Sequence, residues 1–137
     1  MEILKKKKIG FLGATFDPIH KGHTEIANIA KKRFMLDEVW FVPNKNPYYK
    51  KQPVANTHHR LAMLKIAIKT ERNFKIYKEE IKNIKYTYTV DSLKKIKNQN
   101  QDSQIMLIIG MDSFNSIQSW KDYREIIKYA DIRRLIF

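Results

Sequence analysis

One continuous segment, Gly13–His23, limits the fold of this chain more than any other part of the sequence. It reads GATFDPIHKGH, and the apolar run Ile9–Leu12 in front of it predicts a β-strand. The residues that follow it have the pattern of a helix. A strand, a turn that contains Gly13 and a helix start is how α/β proteins build a phosphate-binding corner, because the first backbone N–H groups of a helix have no partner within it. His20 and His23 are three residues apart and can share one face of the first helical turn.

The rest of the chain alternates predicted strands with predicted helices, which indicates a parallel sheet with right-handed crossovers. The predicted strands are Ile9–Leu12, Glu38–Val42, Phe74–Tyr77 and Gln104–Ile109. The predicted helices are His20–Arg33, Thr57–Thr70, Thr89–Lys97 and Ser119–Tyr129. We therefore predict an α/β fold, a Rossmann-like parallel sheet with helices on both faces, which binds ligands at the carboxyl ends of its strands.

Local patterns add detail to this prediction. In the first helix, Ile26, Ile29 and Ala30 have the spacing of residues that face a core. Thr57 is predicted to cap the second helix, because its hydroxyl can accept a hydrogen bond from a backbone N–H. The segment Asn44–Asn56 is rich in Pro, Asn and Lys, which predicts a loop.

Composition narrows the classes of function. The 137 residues contain no cysteine, which excludes a disulfide framework and fits a cytoplasmic protein. No apolar run approaches the length of a membrane span, and we expect no targeting peptide because no small-residue cleavage site follows the basic N-terminal residues. The net charge is +13. Because the lysines are spread over almost every segment and do not alternate with aromatic side chains, solvated surfaces are favoured over a nucleic-acid-binding module.

The residue types of the first segment suit phosphate chemistry. Gly13 lets the backbone approach a ligand closely, Thr15 offers a hydroxyl, and His20 and His23 can donate hydrogen bonds to phosphate oxygens. A simple turn with two surface histidines is one alternative. A metal site is another, but no third ligand is arranged nearby, and phosphate binding is favoured over both.

Leu107–Trp120 is the second segment with functional character. A buried strand ends at Gly110, so the carboxylate of Asp112 at its tip can accept hydrogen bonds from ribose hydroxyls. Trp120 offers a flat face that can stack on an aromatic ring. A helix cap at Asp112 and a packing role for Trp120 explain the same residues equally well.

Two further segments have weaker signals. Pro43–Lys50 reads PNKNPYYK, which is either a flexible basic loop or a substrate loop in which Asn44 and Lys50 meet polar and phosphate groups. Thr87–Leu93 reads TYTVDSL and begins a helix. For Thr87–Leu93, an ordinary helix start is the simpler interpretation.

Together and in this order, the four segments resemble the nicotinate-nucleotide adenylyltransferase branch of the nucleotidylyltransferase superfamily. That branch has the motifs GxTFDPxHxGH, PNxxPxxK, SYTxxTL and IGxDxxxxxxxW. Arg60–Ala67, which reads RLAMLKIA, is similar to its Leu- and Ala-rich helix, and the resemblance extends from Ile9 to Ala130. The first motif alone does not separate this branch from pantetheine-phosphate or cytidylyl enzymes, whereas the IGMDSF…SW stretch does.

The resemblance implies a role for each candidate residue. The residues implied to hold the nucleotide phosphates are Gly13, Thr15, Phe16, His20 and His23. Of these, Thr15, His20 and His23 form the implied catalytic group, with the two histidines stabilising the transferring phosphoryl group.

The other implied contacts involve the sugar, the ring and the second substrate. Asp112 would hold a nucleotide ribose, Trp120 would stack on the nicotinate ring, and Thr89 would lie near its carboxylate. Lys50 would approach phosphate, and Asn44 would be a further substrate-binding residue. The implied substrates are ATP and nicotinate mononucleotide, and the implied products are deamido-NAD and pyrophosphate. Mg²⁺ is expected to bridge the ATP phosphates rather than to occupy a protein metal site.

Two departures from the family stand out. Tyr49 occupies a position where the family usually has a histidine. The chain also lacks the family's later ISxTxxR segment, and Asp131–Phe137, where an apolar strand is expected, is interrupted by two arginines. We therefore expect residues 1–137 to form one nucleotidylyltransferase-like domain that lacks its C-terminal part. A catalytically impaired remnant, and an adenylyltransferase of the same fold with another phosphorylated substrate, are the alternatives.

Overall fold

Five parallel strands form a central sheet in the computed structural model, which describes residues 6–44, 56–82 and 87–135. In chain order the strands are β1 (Lys8–Ala14), β2 (Glu38–Pro43), β3 (Phe74–Ile76), β4 (Gln104–Gly110) and β5 (Asp131–Leu135). Their order across the sheet is β3-β2-β1-β4-β5, and every neighbouring pair is parallel. The predicted Rossmann-like parallel sheet is confirmed.

Helices connect these strands. They are α1 (Lys21–Arg33), α2 (Thr57–Ile68), α3 (Glu79–Lys82), α4 (Thr89–Gln99), α5 (Met111–Ser116) and α6 (Tyr123–Tyr129). A short 3-10 helix, Ile117–Ser119, lies between α5 and α6. The four-residue helix α3 was not predicted.

The sheet is covered on both faces, as predicted. Side chains of β1 alternate between two buried clusters: Leu12 packs with Ala30 of α1 and Leu64 of α2, and Phe11 packs with Leu93 of α4 and with residues of α6. Because both faces of the inner strands are buried, β4 is a continuous apolar run rather than an alternating one.

The topology places a crevice at one end of the sheet. β1 is central, with β2 on one side and β4 on the other, so the chain leaves β1 towards one side and β4 towards the other. In sheets of this kind, ligands bind where the strand order reverses, outside the carboxyl ends of the strands. The segments that follow β1 and β4 are the two that the sequence marked most strongly.

Two predictions about the helices were wrong. Asn56, not Thr57, caps α2: its side-chain Oδ1 accepts a hydrogen bond from the backbone N of His59 at 2.8 Å. In α1, Ile29 is 52% exposed, whereas Ala27 is fully buried. The apolar stripe of α1 is therefore narrower than predicted, and small residues bring the helix close to the sheet.

The region after β4 also differs from the prediction, which placed one long helix at Ser119–Tyr129. Helix α5 begins directly after Gly110, and its polar residues are typical of a surface helix. The final helix begins only at Tyr123, because Asp122 before it has a left-handed backbone conformation with φ of 52°. Ile117 in the intervening 3-10 turn is buried and anchors this connection to the sheet.

The two arginines do not interrupt the strand expected after Ala130. β5 forms from Asp131 to Leu135 and pairs in parallel with β4, with Ile132 opposite Leu107. A charged side chain is tolerated because β5 is the last strand in the sheet order, where Arg133 is exposed to solvent.

Within the described ranges, no helix combines the length and the apolar character needed to cross a membrane.

Candidate active site

A cavity of about 590 Å³ lies at the carboxyl ends of β1 and β4. Its wall contains residues of the first motif, of the start of α4 and of the segment that follows β4. The predicted site residues that line it are Gly13, Thr15, Phe16, His20, His23, Asn44, Thr89 and Trp120. The structure thus brings together residues that are up to about a hundred positions apart in the sequence.

His20 and His23 form the start of α1. His20 is the N-cap, and its Nδ1 accepts a hydrogen bond from the backbone N of Gly22 at 3.1 Å. The backbone N of His20 in turn donates to Nδ1 of His23, also at 3.1 Å. The two rings stack with their centroids 3.8 Å apart. Each histidine therefore fixes the other, in the reciprocal manner of a capping box.

These hydrogen bonds determine the proton positions on the neutral rings. A nitrogen that accepts a hydrogen bond carries no proton, so in each neutral imidazole the proton is on Nε2. Partial burial and the neighbouring His20 ring lower the pKa of His23 to about 4. At neutral pH, His23 is therefore an uncharged Nε2–H donor.

The close approach of the His20 ring to the backbone explains why the motif has a glycine at position 22. A Cβ atom there would lie 2.8 Å from Cε1 and 2.9 Å from Nδ1 of His20. Any other residue would push the His20 ring out of the position in which it caps the helix.

The buried side chain of Phe16 packs against His23 in the same corner. Its side chain is buried, and its ring meets that of His23 edge-on at 4.9 Å between centroids. Its backbone has φ of 52°, a left-handed conformation that costs a non-glycine residue roughly 1–2 kcal/mol. Such strain persists where packing enforces it, often at functional sites. Here the buried ring of Phe16 sets the direction of the chain between β1 and α1.

Arg60 connects two parts of the cavity wall and was not among the predicted site residues. It is 1% exposed, and among its contacts its Nη1 donates hydrogen bonds to the carbonyl oxygens of Thr15 at 2.7 Å and Asn44 at 2.5 Å. Burial lowers the pKa of Arg60, and the charge of Asp17 opposes this shift. A buried cation thus joins the end of β2 to the loop that carries the first motif.

The opposite wall is aromatic and partly basic. Trp120 is half-buried between the 3-10 helix and α6, and Thr89 is the first residue of α4. Lys121 places its Nζ 4.5 Å from the centroid of the Tyr88 ring, and both residues line the cavity. Lys121 was not predicted, although it directly follows the tryptophan of the motif.

Two predicted site residues cannot be placed. Lys50 lies outside the described residues, and the side chain of Asp112 is outside the described part of α5. Tyr49, the departure from the family pattern, also lies outside the described residues. Their roles stay predictions.

A metal site held by the protein alone has no support within residues 6–44, 56–82 and 87–135. No three His, Cys, Asp or Glu side chains in these ranges come together in a group that could hold an ion.

Comparison with known proteins identifies the family. A family model described as cytidylyltransferase-like matches residues 11–134. The chain belongs to the cytidylyltransferase-like family. The match covers both walls of the cavity, and the superfamily resemblance predicted from the motifs is confirmed.

Curated relatives in this family carry the name predicted for the branch. A protein named nicotinate-nucleotide adenylyltransferase from Vesicomyosocius okutanii is 40% identical over 126 residues, which are 92% of this chain and 60% of the relative. Those from Shewanella frigidimarina and Dictyoglomus thermophilum are 37% and 36% identical over 125 residues, 91% of this chain and 59% and 64% of the relatives. The chain thus spans about 60% of the length of the curated relatives it matches.

A solved structure has the same fold. The Plasmodium falciparum nicotinic acid mononucleotide adenylyltransferase complexed with NaAD aligns with a TM-score of 0.76 at 21% identity. The alignment covers 96% of this chain and 75% of that protein. A second structure of that protein, complexed with APC, aligns with a TM-score of 0.73, at 20% identity over 96% of this chain and 75% of that one. At this identity the likeness establishes the shared architecture.

Proposed function

We propose that this protein transfers the adenylyl group of ATP to nicotinate mononucleotide, forming deamido-NAD and releasing pyrophosphate. The observation that carries the proposal is a cavity in which the stacked pair His20 and His23 faces a wall formed by Thr89 and Trp120. One side suits phosphates and the other suits a flat ring. The names of the curated relatives support the same reaction.

The proposed reaction requires no proton transfer by a protein side chain. A phosphate oxygen of the mononucleotide attacks the α-phosphorus of ATP in line. The new P–O bond forms as the bond from the α-phosphorus to the bridging oxygen of the β-phosphate breaks, and pyrophosphate leaves with that electron pair. The attacking phosphate is ionised at neutral pH, so no general base is needed. The protein's contributions are positioning and stabilisation of developing charge.

His20 and His23 are suited to that stabilisation. Their Nδ1 atoms are held by backbone N–H groups, which leaves the Nε2–H of each ring as the group that can donate to a phosphate oxygen. The donors are fixed before the substrate arrives, which is the condition under which hydrogen bonds stabilise a transition state most. Gly13 and Thr15 let the nucleotide phosphates approach the same corner.

The second substrate would bind against the other wall. Trp120 offers the face on which a pyridine ring can stack. The first backbone N–H groups of α4, which begins at Thr89, and the cation of Lys121 favour an acidic substituent on that ring. Asn44 lines the cavity near the phosphate corner, and Lys50 and Asp112 are proposed to contact phosphate and ribose.

Mg²⁺ is proposed to enter with ATP as part of that substrate. Nucleotide phosphates with water supply the oxygen ligands that Mg²⁺ prefers, so a protein cage is not required. Residues 1–137 are proposed to act as one domain, and a cytoplasmic location stays the prediction made from the absence of cysteine.

Binding measurements with matched ligands test the proposal. Nicotinate mononucleotide should bind the purified protein more tightly than nicotinamide mononucleotide or phosphopantetheine, and ATP more tightly than CTP. Tighter binding of phosphopantetheine would indicate another adenylyltransferase of this fold. Binding to DNA or RNA that weakens steeply with salt, without mononucleotide binding, would indicate a nucleic-acid module instead.

A further inference from the structure

One carboxyl group of the cavity wall has no part in the mechanism above. Glu80 on α3 is 5% exposed and lines the cavity. A buried carboxyl group is unusual unless it is paired or protonated, because removing its charge from water is costly. Its position in a ligand cavity makes it a candidate for a functional role.

Only one of the two carboxyl oxygens of Glu80 accepts a hydrogen bond from the described residues. Ser92 Oγ on α4 donates a hydrogen bond to Glu80 Oε2 at 2.7 Å, and the described residues provide no second hydrogen bond to this carboxyl group. The salt bridge between α3 and α4 goes to the neighbouring residue instead: Lys95 pairs with Glu79 at 3.0 Å on the exposed side. Among the described residues, Glu80 therefore has no cationic partner.

The ionisable groups around Glu80 favour its neutral form. The carboxylate of Asp91 on α4 repels negative charge on Glu80, and the only other acid close by in chain order is Glu79, which Lys95 neutralises. Tyr77, which precedes α3, has a buried hydroxyl whose pKa is raised to about 12, mainly by burial, so it stays neutral and adds no charge beside Glu80. Burial and Asp91 together raise the pKa of Glu80 to about 7.

Glu80 is also tied to the proposed site for the acidic substituent. Ser92 is three residues after Thr89, so both lie on one face of α4. The hydrogen bond from Ser92 therefore holds Glu80 beside the helix start at which the carboxylate of nicotinate mononucleotide is proposed to bind. Two ionised carboxyl groups at one site repel, and one proton shared between them removes the repulsion.

We propose that Glu80 is a specificity-determining residue that takes up one proton from solvent when an acidic pyridine mononucleotide binds. The proton resides on Oε1 of Glu80, which then donates a hydrogen bond to the ligand carboxylate, while Oε2 keeps the hydrogen bond from Ser92. A ligand with a neutral amide in place of the carboxylate binds without this proton. This inference rests on the proposed function, because it assumes that nicotinate mononucleotide is a substrate.

Isothermal titration calorimetry in two buffers of different ionisation enthalpy measures the proton directly. We expect the binding heat of nicotinate mononucleotide, measured one pH unit above the pKa of Glu80, to indicate uptake of close to one proton. Nicotinamide mononucleotide has the same phosphate and serves as the matched ligand, with uptake near zero. Above that pKa the affinity for the acidic ligand should fall by up to about tenfold per pH unit, whereas that for the amide should stay level.

Two variants complete the test. Glu80→Gln keeps an acceptor for Ser92 and should bind nicotinate mononucleotide without proton uptake. Glu79→Gln, next in the chain but exposed, should leave the uptake unchanged. Equal uptake for both ligands, or uptake that persists in Glu80→Gln, would overturn the proposal. If Glu80→Gln does not fold, the comparison of the two ligands on the unaltered protein decides. If neither mononucleotide binds, the proposed function itself is wrong.

Discussion

Replacing Arg60 with Met should destabilise the protein and loosen the wall of its cavity. Arg60 is almost fully buried and donates from one nitrogen to the carbonyl oxygens of Thr15 and Asn44. Methionine fills most of the space of the arginine stem but has no donor. The substitution therefore removes this side-chain connection between β2 and the first motif with little loss of packing, while the backbone hydrogen bond from Asn44 N to Ala14 O remains.

The expected magnitude follows from these two hydrogen bonds. Hydrogen bonds that involve a charged group contribute about 1.5–3 kcal/mol each, so the pair contributes about 3–6 kcal/mol. Removing a buried cation also removes its desolvation cost, which offsets part of the loss. We expect a net fall of about 2–4 kcal/mol in the free energy of unfolding, a large share of the roughly 5–15 kcal/mol typical of a domain.

Urea unfolding of the variant and the unaltered protein measures this difference. Arg72→Met is the matched control, because Arg72 is exposed and a surface substitution of this kind changes stability by about 0.5 kcal/mol or less. ATP should also bind the Arg60 variant more weakly. An Arg60→Met protein as stable as Arg72→Met would refute the reasoning, because it would mean that the buried hydrogen bonds contribute nothing net.

Three further substitutions test other parts of the structure. His20→Ala should lower kcat by about 10²–10³ while changing mononucleotide affinity far less, since a donor to the transferring group acts mainly in the transition state; steady-state kinetics would show equal losses in both if His20 only binds. Trp120→Ala should weaken nicotinate mononucleotide by about 1–3 kcal/mol, the value of one stacked base, and unchanged calorimetric affinity would exclude stacking. Gly10→Ala should lower stability by about 1–3 kcal/mol, because its Cβ would lie 2.7 Å from Leu36 and 2.9 Å from Ile108; an unchanged thermal midpoint would show that both side chains yield freely.

The phosphate corner could be predicted because its determinants are local. The segment Gly13–His23 contains the turn, the helix cap and both histidines in consecutive positions, and short-range hydrogen bonds such as that from Gly22 to His20 fix them. Val90, Leu93 and Ile96 likewise have regular helical spacing, and all three are buried. Where one short segment contains all the interacting groups, pattern and structure agree.

Arg60 and Glu80 could not be assigned to the site in this way, because their partners are distant in the chain. Arg60 contacts Thr15 across 45 positions, and Glu80 contacts Ser92 across 12. A signal for Arg60 was present: it is four residues before Leu64 and therefore shares the buried face of α2. No comparable periodicity marks Glu80, because α3 has only four residues.

The structural boundaries after β4 were hard to predict for a related reason. The polar residues of α5 resemble a loop, and only the packing of Ile117 and the left-handed Asp122 show where each turn begins. In β5, the arginines suggested an interrupted strand. The strand forms nevertheless, because β5 pairs with β4 and an edge strand can expose Arg133 to solvent.

Pyrophosphate release by the purified chain tests the central claim most directly. The protein is mixed with ATP, Mg²⁺ and nicotinate mononucleotide, and each is omitted in turn. We predict that release requires all three and that deamido-NAD appears in equal amount. A folded protein that binds both substrates yet releases no pyrophosphate, or that releases it without nicotinate mononucleotide, would contradict the proposed reaction.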